Sequence, residues 1–188
     1  LGEVVHSRGG RVGSVIPALK RNDHYWSISR RAIRPQQMCH CVHGTGRMWI
    51  LHRAYHSAMI QVEECAEVTA ELVEAFAQLI PQLSASSAVP TAAELEEMLG
   101  SGASHLLVAR DDSGPILGCM TLVVFRIPTG VRAWIEDVVV DSGARGKGVG
   151  EALNSAALEL AAGLGARTVD LTSRPSREAA NRLYRRLG

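Results

Sequence analysis

Between Ile135 and Gly150 the chain reads Ile-Glu-Asp-Val-Val-Val-Asp-Ser-Gly-Ala-Arg-Gly-Lys-Gly-Val-Gly. A β-branched run ends in a glycine-rich turn, and a helical pattern follows at once. Such a sequence aims unpaired backbone N–H groups and the positive end of a helix dipole at one point, which suits a phosphate or pyrophosphate. Gly146, Gly148 and Gly150 keep Cβ atoms out of the way, while Arg145 and Lys147 add positive charge. A Walker A loop needs Ser or Thr after its Lys, but Lys147 is followed by Gly148. The dinucleotide fingerprint G-x-G-x-x-G fails too: started at Gly146 it ends on Glu151, and started at Gly148 it ends on Leu153. Asp170 stands where a ribose-binding acid would, yet the glycines do not fit. What fits is R-x-x-G-x-G, Arg145 to Gly150.

A second cluster, Cys39-His40-Cys41-Val42-His43, carries soft metal donors. Structural zinc joins two ligand pairs across a loop, and no second Cys pair follows; His52 and His56 at i,i+4 spacing are the sole candidates to complete a site. Chance clustering is the simpler reading, and no metal is expected. Cys65 and Cys119 lie in apolar stretches and read as small buried hydrophobes. The absence of a disulfide-like spacing fits a reducing compartment.

The elements that must position the glycine turn follow from periodicity. A short strand at 59–64 precedes a helix at 66–80, with Val68, Leu72, Phe76 and Leu79/Ile80 on one face and Pro81 as its stop. Thr91, with Glu94 three residues on, opens a second helix ending near Gly100. Strands at 104–110 and 115–126 flank the turn Asp111-Asp112-Ser113-Gly114, and Pro128-Thr129-Gly130 leads into a strand at 131–140. A helix at 148–164, a strand at 167–172 and a helix at 176–187 with Ser176 as N-cap complete the order β-α-α-β-β-β-α-β-α, an α/β pattern on a mixed sheet.

The chain has 188 residues and a formal net charge of +1. That average conceals a break near Met59. Residues 1–58 hold 9 Lys and Arg against 2 Asp and Glu, whereas residues 59–188 hold 11 against 17, for net charges of +7 and −6. Six of the seven His precede Met59. Residues 1–58 show no sustained apolar period, so they read as a basic, unfolded extension or as upstream read-through before a natural start at Met59. Interleaved Tyr25, Trp26 and Trp49 leave nucleic-acid binding as a less favoured alternative. No apolar run reaches the ~18 residues of a membrane span, and a cytoplasmic setting is the default expectation.

Residues 59–188 resemble the GNAT superfamily of acetyl-CoA-dependent N-acyltransferases. The R-x-x-G-x-G turn sits between the right strand and helix, and Ala180-Asn181-Arg182-Leu183-Tyr184-Arg185-Arg186-Leu187-Gly188 is similar to the family's A-N-x-L-Y-x-x-x-G helix. The resemblance implies that amides of Arg145, Gly146, Lys147, Gly148, Val149 and Gly150 hold the CoA pyrophosphate. It implies that the strand edge at Val138, Val139 and Val140 hydrogen-bonds the pantetheine arm, with the Val138 N–H as oxyanion donor. Asn181 would meet CoA, and Tyr184 would protonate the leaving thiolate. Glu136 is the candidate base, because simple alternation puts it on the face of Val138 and Val140, with Asp137 pointing away. A substrate-orienting or merely solvated carboxylate is the competing reading for Glu136.

The implied activity is direct acetyl transfer from acetyl-CoA to a primary amine, small molecule or protein, in a ternary complex. A non-catalytic acyl-CoA-binding module is the alternative, and a homodimer is left open. The family pattern continues beyond this glycine with two more strands beside the strand at 167–172. The sequence ends at Gly188, so the expectation is a GNAT-like fold lacking its last strands, an unpaired edge at 167–172, and doubtful activity of the chain as it stands.

Overall fold

Local signals account for most of the helices in the computed structural model, which describes residues 25–29, 38–43, 46–51, 60–112 and 114–187. The N-terminal elements are strands β1 (Tyr25–Ser29), β2 (Met38–His43), β3 (Gly46–Leu51) and β4 (Ile60–Glu64). Helix α1 (Ala70–Leu83) begins where the Thr69 hydroxyl accepts the Leu72 N–H at 3.2 Å, and buries Leu72, Phe76, Leu79 and Ile80. Pro81 does not stop it. The proline falls in the last turn, where it removes one hydrogen bond, and the helix still closes with Ser84 N–H to Ile80 O at 3.0 Å. Helix α2 (Ala92–Gly100) has the expected capping box: Thr91 and Glu94 each accept the other's backbone N–H.

Strands β5 (Ser104–Asp111), β6 (Ile116–Ile127) and β7 (Gly130–Val140) then form a meander. Helix α3 (Val149–Gly163) crosses over to β8 (Ala166–Thr172), which lies parallel to β7, and α4 (Glu178–Leu187) ends the described chain. The expected N-cap at Ser176 is replaced by a start two residues later. Among the described residues the sheet has eight strands in the order β1-β8-β7-β6-β5-β4-β3-β2, antiparallel everywhere except β7–β8.

Each face of the sheet has its own core. On one, Leu107, Met120, Leu122, Ile135, Val169 and Leu171 pack against α3, whose Ala152, Ala156 and Ala161 let the helix lie close to the strands. On the other, Leu106, Val108, Cys119 and Val139 meet Leu72, Phe76, Leu79 and Leu95 of α1 and α2. Leu153 and Leu160 are among the largest fully buried side chains, and truncating either would cost about 2–5 kcal/mol.

Two expectations about the edges fail. Residues 25–29, inside the segment read as unfolded, form β1, and β1 pairs antiparallel with β8, so the strand at 166–172 is not an unpaired edge. The pattern Tyr25-Trp26-Ser27-Ile28 does alternate, with Ile28 2% exposed and Tyr25 50%. Four residues of period two among arginines are too few to stand out before a partner strand is known. At the opposite edge β2 and β3 form a hairpin, and β3 pairs with β4. The Cys39–His43 cluster lies in β2, where side chains fall outside the described set, as do His52, His56 and Met59. Elsewhere, among the described residues, no group of three or more metal-ligating side chains occurs, and no helix is long and apolar enough to cross a membrane.

Candidate active site

The site begins where two parallel strands part. Pairing between β7 and β8 ends at Ile135 opposite Leu171. Beyond it the β8-side edge of Glu136–Val140 carries no strand among the described residues, and a cleft of about 1370 Å³ opens beside it. Of the site residues read from the sequence, Val138, Val139, Val140, all residues from Arg145 to Gly150, and Tyr184 line this cleft; Glu136 and Asn181 do not.

At the end of β7 the turn is tied down from outside. The Asp141 carboxylate accepts the Gly143 N–H at 2.8 Å and the Gln82 side-chain amide at 2.9 Å, while Gln82 Oε1 accepts the Ser142 N–H at 2.9 Å. These bonds, Gln82 first, hold Asp141 below the usual carboxylate range. Gly146 and Gly148 have φ of 78° and 90°. Gly148 is the N-cap of α3 and offers no side-chain acceptor, whereas Thr69 and Thr91 cap α1 and α2. The first amides of α3, on Val149 and Gly150, thus lack the side-chain cap that α1 and α2 have, and both residues line the cleft. Arg145 and Lys147 are exposed at the turn, and from α4 come Arg182 and Arg186, the latter 3.7 Å from Glu151. Basic side chains thus gather at the cleft mouth, with Arg182 also 3.6 Å from Glu178.

The alternation expected for β7 breaks at Asp137. Thr121 pairs with Glu136 but Cys119 pairs with Val139, so three steps on β7 face two on β6, and Asp137 takes φ 52°. This β-bulge reverses the parity of the strand. Val138 and Val140 pack toward the α3-side core with Ile135, whereas Glu136 shares the opposite face with Trp134. The expectation that Glu136 sits on the face of Val138 and Val140 is therefore corrected. Glu136 is exposed and accepts the Trp134 indole N–H at 2.6 Å.

Helix α4 turns Tyr184 into the α3-side core at 5% exposure while leaving it on the cleft wall. Burial raises its phenol above the ordinary value near 10, with a smaller opposing effect from the Arg177 charge. Its proton is retained at neutral pH. Asn181 departs from expectation: at 4% exposure it faces inward, and its amide donates to the carbonyls of Arg174 at 3.0 Å and Pro175 at 3.5 Å. It shapes the β8–α4 connection rather than the cleft wall. Arg177, which no spacing in the sequence marks, reaches across to donate to Val138 O and Leu83 O, each at 3.3 Å. Gln82 was equally invisible, since both bridge elements that meet only in the fold. Burial pushes the thiols of Cys65 and Cys119 up to about 12, so neither is a thiolate at neutral pH.

The model of the acetyltransferase (GNAT) family matches residues 70–188, the span that holds the bulge, the turn, the cleft and α4. The chain belongs to the GNAT acetyltransferase family. Comparison with curated protein sequences finds no match. Among solved structures, this GNAT chain is similar to an aminoglycoside acetyltransferase from an uncultured soil metagenomic sample, at 23% identity over 68% of this chain and 86% of that one, TM-score 0.58. It is also similar to glucosamine-6-phosphate N-acetyltransferase from Arabidopsis thaliana, at 22% identity over 66% and 89%, TM-score 0.56. A third similar structure is an aminoglycoside N-acetyltransferase in complex with CoA, at 16% identity over 71% and 89%, TM-score 0.58. At these identities the neighbours establish a shared fold.

Proposed function

We propose that the chain transfers the acetyl group of acetyl-CoA to a primary amine by direct attack in a ternary complex. The observation that carries the reading is the uncapped N-terminus of α3 at the end of the unpaired Glu136–Val140 edge. The turn amides and the Arg145 and Lys147 charges would hold the pyrophosphate. The β7 edge would take the pantetheine arm as an added strand. Acetyl-CoA supplies an activated thioester carbonyl.

Arg177 binds Val138 O from the cleft side. In an extended residue the N–H points to the same side as the C=O, so the Val138 N–H also faces the cleft and suits the developing oxyanion. As the amine nitrogen bonds to the carbonyl carbon, the C–S bond breaks, and Tyr184 gives its phenolic proton to the departing sulfur. Glu136 accepts the proton lost by the amine, directly or through one water. Because the bulge at Asp137 puts Glu136 on the face opposite Val138 and Val140, the amine would approach from a different side than the thioester. Cys65 and Cys119 are both held protonated by burial, so neither offers a nucleophile for an acyl-enzyme route. Amino sugars are the first acceptor class to test, because similar structures are aminoglycoside and glucosamine-6-phosphate acetyltransferases.

The test is release of CoA thiol from acetyl-CoA with sisomicin, glucosamine 6-phosphate, spermidine and a short peptide, beside calorimetric binding of CoA. Turnover with one amine, lost in Glu136→Gln and Tyr184→Phe, supports the reading. Tight CoA binding with no turnover on any amine would replace it with a non-catalytic acyl-CoA-binding module.

A further inference from the structure

Strand β1 comes from the segment that composition sets apart, yet its first two residues reach both candidate proton-transfer groups. Neighbouring residues of a strand project to opposite faces of the sheet. Trp26, opposite Leu171, packs on the α3-side core with its ring centroid 6.4 Å from that of Tyr184, tilted 49°. The Arg185 guanidinium sits 6.0 Å from the same indole ring, so α4 grips Trp26 from two positions. The indole N–H of Trp26 is buried without a hydrogen-bond partner among the described residues. That group is costly to leave unsatisfied, which marks the ring's packing, not its polarity, as its contribution.

Tyr25, opposite Thr172, goes to the other face, where its ring lies 5.9 Å from that of Trp134 at 51°. Trp134 in turn donates to Glu136 at 2.6 Å. Half of Tyr25 is exposed, so the residue is not needed to fill a core. It is nonetheless held in place: its hydroxyl donates to Asp170 at 2.9 Å, and Asp170, fully buried, also accepts from Arg132 and Thr168. Ile28, 2% exposed, secures the far end of the strand.

We propose that Tyr25 and Trp26 are positioning residues, Trp26 setting the ring of Tyr184 from one face of the sheet and Tyr25 setting Glu136 through Trp134 from the other. The proposal rests on the acetyl-transfer reading above. It makes β1 a working part of the site, and it predicts effects on turnover that leave CoA binding alone, because neither residue lines the cleft.

The full chain is compared with Trp26→Phe, Trp26→Leu, Tyr25→Phe and Tyr25→Leu, using whichever of sisomicin and glucosamine 6-phosphate turns over faster. Turnover is expressed per CoA-binding site from the calorimetric stoichiometry, so unfolded molecules do not count. Trp26→Leu should lower kcat about tenfold with CoA affinity unchanged, and Trp26→Phe should restore it to within about twofold, since a ring returns without the orphan N–H. Tyr25→Leu should lower kcat/KM for the amine about fivefold and leave KM for acetyl-CoA unaltered, with Tyr25→Phe falling between Leu and the parent, because it keeps the ring against Trp134 but loses the bond to Asp170. Double-mutant cycles separate positioning from general stability. Trp26→Leu should add nothing to Tyr184→Phe, and Tyr25→Leu nothing to Glu136→Gln. Additive losses, or kcat per site at the parent value, would overturn the positioning roles while parent turnover leaves acetyl transfer standing. No turnover by the parent on any amine defeats both.

Discussion

Gly148→Ala isolates what the anion turn demands of its backbone. Gly148 adopts φ 90° and ψ −4°, and a Cβ built there would meet nothing within 4 Å. Crowding therefore contributes nothing, and the cost is conformational. Left-handed backbone costs an L-residue about 1–2 kcal/mol, while the stiffer unfolded chain of an alanine returns about 0.4–1 kcal/mol. The net destabilisation should be up to about 1.6 kcal/mol, or up to about 6 °C in Tm for a chain of this size. Gly163 at the end of α3 is the internal control, with equally open space and no left-handed φ. Gly163→Ala should be stabilising by about 0.4–1 kcal/mol. Urea unfolding of both variants measures the opposite signs. Relaxation of the strain in Gly148→Ala would rotate the peptide entering α3, so calorimetry should also show CoA binding weakened about tenfold or more, with Gly163→Ala at the parent value. Equal stability and equal CoA affinity for the two variants would refute the argument.

Tyr184→Phe should lower kcat about a hundredfold while CoA affinity stays, and any fall in the parent's rate from loss of the phenolic proton should come at higher pH than for an exposed tyrosine, because burial raises that group. Asp170 is held below the ordinary carboxylate value: burial opposes this, but hydrogen bonds from Ser27, Tyr25 and Arg132 outweigh it. Its contribution to holding β1 is thus complete above the unfolded value near ~4 and is lost as pH falls through the lower folded value; Asp170→Asn should flatten that acid limb in pH-dependent urea midpoints. Iodoacetamide at pH 7.5 should leave Cys65 and Cys119 unmodified in the folded protein, and mass spectrometry should find both labelled only after unfolding.

Features with a local cause were legible in the sequence. The Thr91–Glu94 capping box, the apolar stripe Leu72-Phe76-Leu79-Ile80, and the turn from Arg145 to Gly150 all appear where residue type and spacing placed them. Each is a property of a few consecutive residues, and backbone geometry converts that spacing directly into shape. Features that depend on pairing were not legible. Whether Glu136 shares a face with Val138 depends on one extra residue in β7, and nothing in Ile135-Glu136-Asp137-Val138 announces a bulge, since only the register against Thr121 and Cys119 creates it. Asn181 shows the same limit: its helix was read correctly, but the carbonyls of Arg174 and Pro175 draw its amide inward.

The sequence by itself therefore determined the glycine-rich turn, the family and the helix that carries Tyr184. Tertiary structure decided where the chemistry could occur. It parted β7 from β8 after Ile135, brought Gln82 and Arg177 across from other elements, and laid Tyr25 and Trp26 against β8. The reason is physical: caps and helical faces are paid for within a dozen residues, whereas strand register and cross-sheet contacts join residues far apart in the chain, 145 positions in the case of Tyr25 and Asp170.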